Sequence, residues 1–128
     1  MRKFNVPITW STEVTGTVHG GDCSATSITG TVTCLDGLSR ISYQYRWTGT
    51  PTGALGWQVS NDYDDLIQSG NWVTLDTSLV AGYSTINPAG SASSSAIDLQ
   101  GIGYRYIRPT YTRTSGTGAL YTTANGSE

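Results

Sequence analysis

Apolar and polar residues alternate along this chain in short runs with a period of two, which places successive side chains on opposite faces of an extended strand. Residues 4–10, 14–19, 28–35, 40–47, 55–60, 72–78, 95–99, 104–113 and 118–123 all carry the pattern, giving about nine predicted strands. Between them stand turn-forming clusters: Gly20-Gly21-Asp22, Asp36-Gly37, the Gly49-to-Gly53 loop around Pro51, Asn61-Asp62, Asn87-Pro88-Ala89-Gly90 and Ser115-Gly116-Thr117-Gly118. No amphipathic helix interrupts the series, which argues against βαβ units. The pattern predicts an all-β fold, a single antiparallel β-sandwich.

Within the segments the alternation assigns faces. Ile41, Tyr43, Tyr45 and Trp47 share one side of their strand, and Leu55, Trp57 and Val59 share one side of the next. The two strands are expected to form a hairpin across the 49–53 loop, with Trp47 and Trp57 anchoring inward faces that meet. Over residues 104–113 both faces mix apolar and polar groups, so the inward side is ambiguous. Pro109 cannot donate to a ladder, so this strand is expected to lie at a sheet edge or to bulge and turn there. Residues 83–95 read as a long loop. The domain reading is an N-terminal arm or hairpin over 1–25, a β-sandwich domain over 26–124 and a C-terminal tail over 125–128.

Composition sharpens this picture. Gly, Ser and Thr fill 51 of 128 positions, while Asp, Glu, Lys and Arg fill only 16; ordinary domains carry about 25% charged residues. Helical bundles and coiled coils are excluded, and the length suits one domain with a real core. A net charge of -2 and a pI near 5.1 give no electrostatic footprint for nucleic acid or an anionic membrane. No apolar run approaches the roughly 20 residues of a membrane helix, and no apolar stretch follows the basic start as a secretion signal requires. The expectation is therefore no nucleic-acid partner and no membrane association.

Catalytic chemistry is thinly supplied. His19 is the sole imidazole and reads as a polar residue at a strand end; no Gly-x-Ser-x-Gly elbow occurs. Asp62, Asp64 and Asp65 crowd one turn, where Asx bonding explains them better than paired acid and base or a calcium loop. Cys23, Cys34 and His19 lack the paired spacing of a zinc site, and free thiols are the expectation, with a disulfide closing a hairpin as the alternative. The chain is thus read as non-enzymatic, with no cofactor and no metal. Of its aromatics, Trp10, Trp72, Tyr63, Tyr83 and Tyr121 are the candidates for a sugar-stacking platform. Arg105, Arg108 and Arg113 interleave with Tyr104, Tyr106 and Tyr111 as a single-strand nucleic-acid surface does, but the net acidity argues against that use.

The series Gly49-Thr-Pro-Thr-Gly53, Trp57-Gln-Val-Ser-Asn-Asp62, Asn71-Trp72, Tyr104-Arg-Tyr-Ile-Arg108 and Tyr111-Thr-Arg-Thr-Ser-Gly-Thr-Gly118 resembles a set of small virion proteins of tailed bacteriophages, over about residues 28–123. The resemblance implies a jelly-roll-like sandwich and a structural role in the virion, foremost as a capsid decoration (cement) protein that stabilises the head shell, with a tail, neck or head-fibre component as the alternative. It implies the major capsid protein or other virion proteins as partners, further copies of the chain as a trimer, and assembly in the host cytoplasm. The Tyr-Ile-Arg run also looks like discoidin-type carbohydrate-binding sandwiches, although the terminal cysteine pair of many members is missing; that likeness implies cell-surface carbohydrate as a partner. Phe4, Val6, Trp10, Tyr83, Asn87, Arg105, Arg108 and Thr117 are the interface candidates.

Overall fold

A computed structural model describes residues 3–14, 20–75, 93–100 and 102–128. Among them the regular structure is all β: β1 (Lys3–Pro7), β2 (Gly20–Asp22), β3 (Ser27–Thr29), β4 (Thr33–Cys34), β5 (Arg40–Gly49), β6 (Thr52–Ser60), β7 (Val73–Thr74), β8 (Ser93–Gln100), β9 (Tyr106–Ser115) and β10 (Gly118–Ser127). They form two antiparallel sheets. One runs β1-β10-β5-β8, with β2 sharing the β1 side of β10; the other runs β3-β9-β6-β7, with β4 sharing the β3 side of β9. The long strands alternate between the sheets, β5 to β6 and β9 to β10 each crossing from one to the other, while β10 pairs with β5 and β9 with β6 across long sequence separations; among the described strands β6 and β7 alone pair as neighbours in sequence. This is the order of a jelly roll, closed over one core.

The core is built from the alternating faces. Ile41, Tyr43, Tyr45 and Trp47 of β5 point inward against Leu55, Trp57 and Val59 of β6, and the Trp57 ring lies 5.9 Å from Tyr43 and 6.3 Å from Tyr45. These faces meet across the sandwich and not within a hairpin, because β5 and β6 belong to different sheets. The chain turns the corner at Thr50 and Pro51. Beside it, β9 passes to β10 through Gly116 and Thr117, and the two corners lie against each other through the hydrogen bond from Thr50 N to Thr117 O (2.9 Å). Gly116 takes φ 79°, and a Cβ there would collide with the Thr50 carbonyl oxygen. That is why this crossing requires glycine.

β9 differs from expectation. It is central, and its register with β6 is unbroken from Tyr106 to Arg113. A strand residue directs its N and O to the same side, and Pro109 O accepts from Gly30 N (2.8 Å), so the missing N–H faces the interval between β3 and β4, where the ladder is already interrupted. Gly30 admits the ring, since a Cβ on it would stand 2.6 Å from Pro109 Cγ. Ile107, Pro109 and Tyr111 face inward; Tyr106, Arg108 and Thr110 face outward.

Both ends of the chain also correct the sequence reading. The expected tail is the second half of β10: Ala124, Gly126 and Ser127 are buried, and this stretch pairs with β5 on one side and β1 on the other. The expected arm is an integral edge. β1 pairs with β10 from Lys3↔Ser127 to Pro7↔Thr123, Trp10 then bridges Gly30 of the other sheet, and Glu13 bridges Gly21. The predicted strand over 28–35 is split into β3 and β4. The strand over 72–78 is described only as the short β7, and most of the strand over 14–19 and of the loop over 83–95 lies outside the described residues.

Candidate functional site

The loop joining β6 to β7 is held by its own side chains. Asp62 collects most of the bonds: its Oδ1 accepts from Ser60 Oγ (2.9 Å) and Asn71 N (2.9 Å), and its Oδ2 accepts from Asn71 Nδ2 (2.7 Å). The two donors from Asn71, then Ser60, hold the Asp62 carboxyl below the usual carboxylate range. Further out, Asp64 Oδ1 accepts from Leu66 N (2.9 Å), and Asp64 and Ser69 exchange backbone hydrogen bonds. The tip turns back through Gln68 at φ 51°. Its neighbours Leu66 and Ile67 stand 94% and 70% exposed. Two large aliphatic side chains are therefore fixed in water at the end of a braced loop.

Directly behind the loop lies a cluster of rings and cations. Trp72 follows Asn71, and its ring packs 4.2 Å from the Arg108 guanidinium and 5.4 Å from Tyr63. Tyr63 in turn meets Tyr106 at 5.4 Å. Arg108 Nε donates to Gln58 Oε1 (2.8 Å) on the neighbouring strand, which fixes the plane of the guanidinium. Partial burial lowers its pKa from the ordinary arginine value, though arginine stays charged at any working pH. Arg105 ties the cluster to the loop: its backbone N donates to Asn61 Oδ1 (3.0 Å), while its guanidinium pairs with Asp36 (3.2 Å), an exposed contact. Alongside Arg108 runs an open groove of about 380 Å³ lined in part by Thr9, Ser11, Thr31, Tyr63 and Gln68.

Of the sequence-predicted interface residues, Arg105 and Arg108 are brought together at this site. Phe4 and Val6 are half-buried on the inward side of β1, and Val6 packs on the core. Trp10 is a correction: it is 4% exposed and belongs to the core, because the chain leaves β1 at Ile8 and crosses between the sheets, where Gly21 leaves space for the indole. Thr117 is exposed at the corner beside Thr50. Tyr83 and Asn87 lie outside the described residues, as does His19. Of the platform candidates, Tyr63 and Trp72 meet, while Tyr121 sits elsewhere beneath Arg46. Cys23 and Cys34 are free thiols, the first buried and the second exposed. Among the described residues no group of three or more His, Cys, Asp or Glu is placed to hold a metal ion.

The sequence reading missed Leu66, Ile67 and Gln58. An isolated apolar pair has no period, so it carries no strand or helix signal. Its signal was chemical: two aliphatic residues between Asp64-Asp65 and Gln68-Ser69-Gly70, in a turn whose other members are polar or lack a side chain.

No family model matches the chain, and no curated protein does. Among solved structures it is similar to the K1 cleaved adhesin domain of Lys-gingipain from Porphyromonas gingivalis W83, with 9% identity and a TM-score of 0.43 over 98% of this chain and 90% of that one. It is also similar to the K3 cleaved adhesin domain of the same protein, with 12% identity and a TM-score of 0.40 over 79% of this chain and 63% of that one.

Proposed function

We propose that this chain is a non-enzymatic structural protein of a bacteriophage particle, foremost a capsid decoration protein that contacts the major capsid protein and further copies of itself. One observation carries the reading. The Ser-Asn-Asp, Asn-Trp and Tyr-x-Arg motifs that give the sequence its resemblance to phage virion proteins converge in space, and their polar groups bond to one another: Asp62 with Asn71, Asn61 with Arg105, and Trp72 on Arg108. They act as braces, and what they brace is the loop that presents Leu66 and Ile67. A fixed apolar tip suits a protein contact, since ordering it in advance removes part of the entropy cost of binding, and symmetry repeats a small contact many times over a shell.

The test is quantitative mass spectrometry of purified particles together with rebinding of the recombinant chain. On the order of hundreds of copies per particle supports decoration of a symmetric shell, and a few dozen or fewer reassigns the chain to tail, neck or fibre. Absence from particles removes the reading. The Leu66→Ser/Ile67→Ser variant is expected to keep its melting temperature and lose rebinding.

A second reading, a carbohydrate-binding module, is supported by a different observation: the half-buried Arg108, Trp72 and Tyr63 stand beside an open polar groove.

A further inference from the structure

Arg108 is a cation held in place with most of its donors unused. Its Nε is engaged by Gln58 and one face of its guanidinium is covered by Trp72. Among the described residues no carboxylate pairs with it, so both terminal nitrogens are left without a partner there. An arginine oriented by a stacked ring and a single amide presents its remaining fork to a planar, two-oxygen acceptor.

What lies beside that fork is polar. The groove is lined by the hydroxyl-bearing Thr9, Ser11 and Thr31, the Gln68 amide and the Tyr63 ring, and its volume of about 380 Å³ is at the small-ligand end of binding sites. The hydroxyls already have local partners: Thr31 Oγ1 contacts Thr9 Oγ1 (3.0 Å) and accepts from Thr9 N, and Ser11 Oγ accepts from Thr29 N (3.1 Å). These bonds hold two edge segments together as a fixed wall. Asp65 also lines the groove and makes no ion pair with Arg108, so its carboxylate stands there as a separate acceptor. A cationic fork, a partly open ring, fixed hydroxyls and a separate carboxylate acceptor together match a polyhydroxylated ligand that carries one carboxylate. They do not match a wholly apolar molecule, because Trp10 and Val32 supply only the smaller, apolar part of the lining.

We propose that this groove binds an acidic sugar, a uronic or sialic acid unit, with Arg108 holding the carboxylate and Asp65 and Gln68 facing the hydroxyls. The inference deepens the carbohydrate-binding reading and rests on it; it is independent of the virion reading.

The experiment is titration calorimetry, with saturation-transfer NMR for weak binding, of the full chain against methyl glucuronide and N-acetylneuraminic acid and against neutral methyl glucoside. Charge-assisted bonds to a carboxylate predict at least about tenfold tighter binding of the acids than of the neutral sugar, weakened by salt. Arg108→Gln is expected to lose that preference and Arg108→Lys to retain part of it, with near-UV circular dichroism reporting the fold. Asp65→Asn, which removes a negative charge from the groove, is expected to tighten the acids and not the neutral sugar. Equal binding of acidic and neutral sugars overturns this inference and leaves the carbohydrate-binding reading standing; so does undiminished acid binding by a folded Arg108→Gln. Binding of no sugar at all removes both.

Discussion

The Tyr43 hydroxyl lies in the core with no hydrogen-bond partner among the described residues, and burial pushes its pKa far above the ordinary tyrosine value. A buried hydroxyl without a partner is destabilising by its desolvation, so Tyr43→Phe is expected to raise stability by about 1 kcal/mol, read as an increased denaturation midpoint at constant slope. The cysteines divide in the opposite sense. Burial, reinforced by the neighbouring Asp22 charge, pushes the Cys23 thiol up to about 11, while Cys34 is exposed. At pH 8 a thiol reagent is expected to modify one cysteine promptly and the second only after denaturant is added. At this scale the sequence was most readable where a residue sits mid-strand. Trp47 and Trp57 were placed in the core by alternation alone. Trp10 was not, although alternation puts it on the same face as Phe4, Val6 and Ile8, because residues 1–25 were read as an arm or separate hairpin with no core to enter.

Elements were readable in type, and less so in their bounds and neighbours: Gly20-Gly21-Asp22 was read as a turn and is β2. Period two marks a strand but is silent on which sheet receives it, so the β5–β6 connection was taken for a hairpin when it is a corner. Pro109 was read as an edge signal for the same reason: the missing donor is harmless in a central strand wherever the flanking ladder is itself broken. The braced loop was readable only in part. Asx chemistry at Asp62 was expected, yet the partner Asn71 lies nine residues on, and the stacking of Trp72 on Arg108 joins a loop residue to a strand far along the chain. The loop carries a pH prediction. The folded-state pKa of Asp62 is lowered, so its contribution is complete above the ordinary value of 3.8 and is lost as pH falls through the lowered one. The protection factor at Asn71, exchange divided by its intrinsic rate at each pH, is expected to fall as pH drops below 3.8, before the sandwich itself unfolds. Asp62→Ala should show the lowered protection at neutral pH.

At the scale of the molecule the described residues form two sheets whose central strands, β10 beside β5 and β9 beside β6, come from far apart in sequence. The jelly-roll class was foreseen from a resemblance; the strand order follows from the pairings alone. Deleting residues 124–128 removes the half of β10 that pairs with both β1 and β5, so the truncated chain is expected to lose its cooperative thermal transition, whereas a dispensable tail would leave the melt unchanged. The pairing of Lys3 with Ser127 also sets an order in time. β1 is synthesised long before β10, its strand partner among the described residues, and β10 also stands between β1 and β5 in the sheet. Until β10 is made, β5 can pair with β8 but β1 has no strand beside it among the described residues, so the contacts that join the first and last described strands form late in folding.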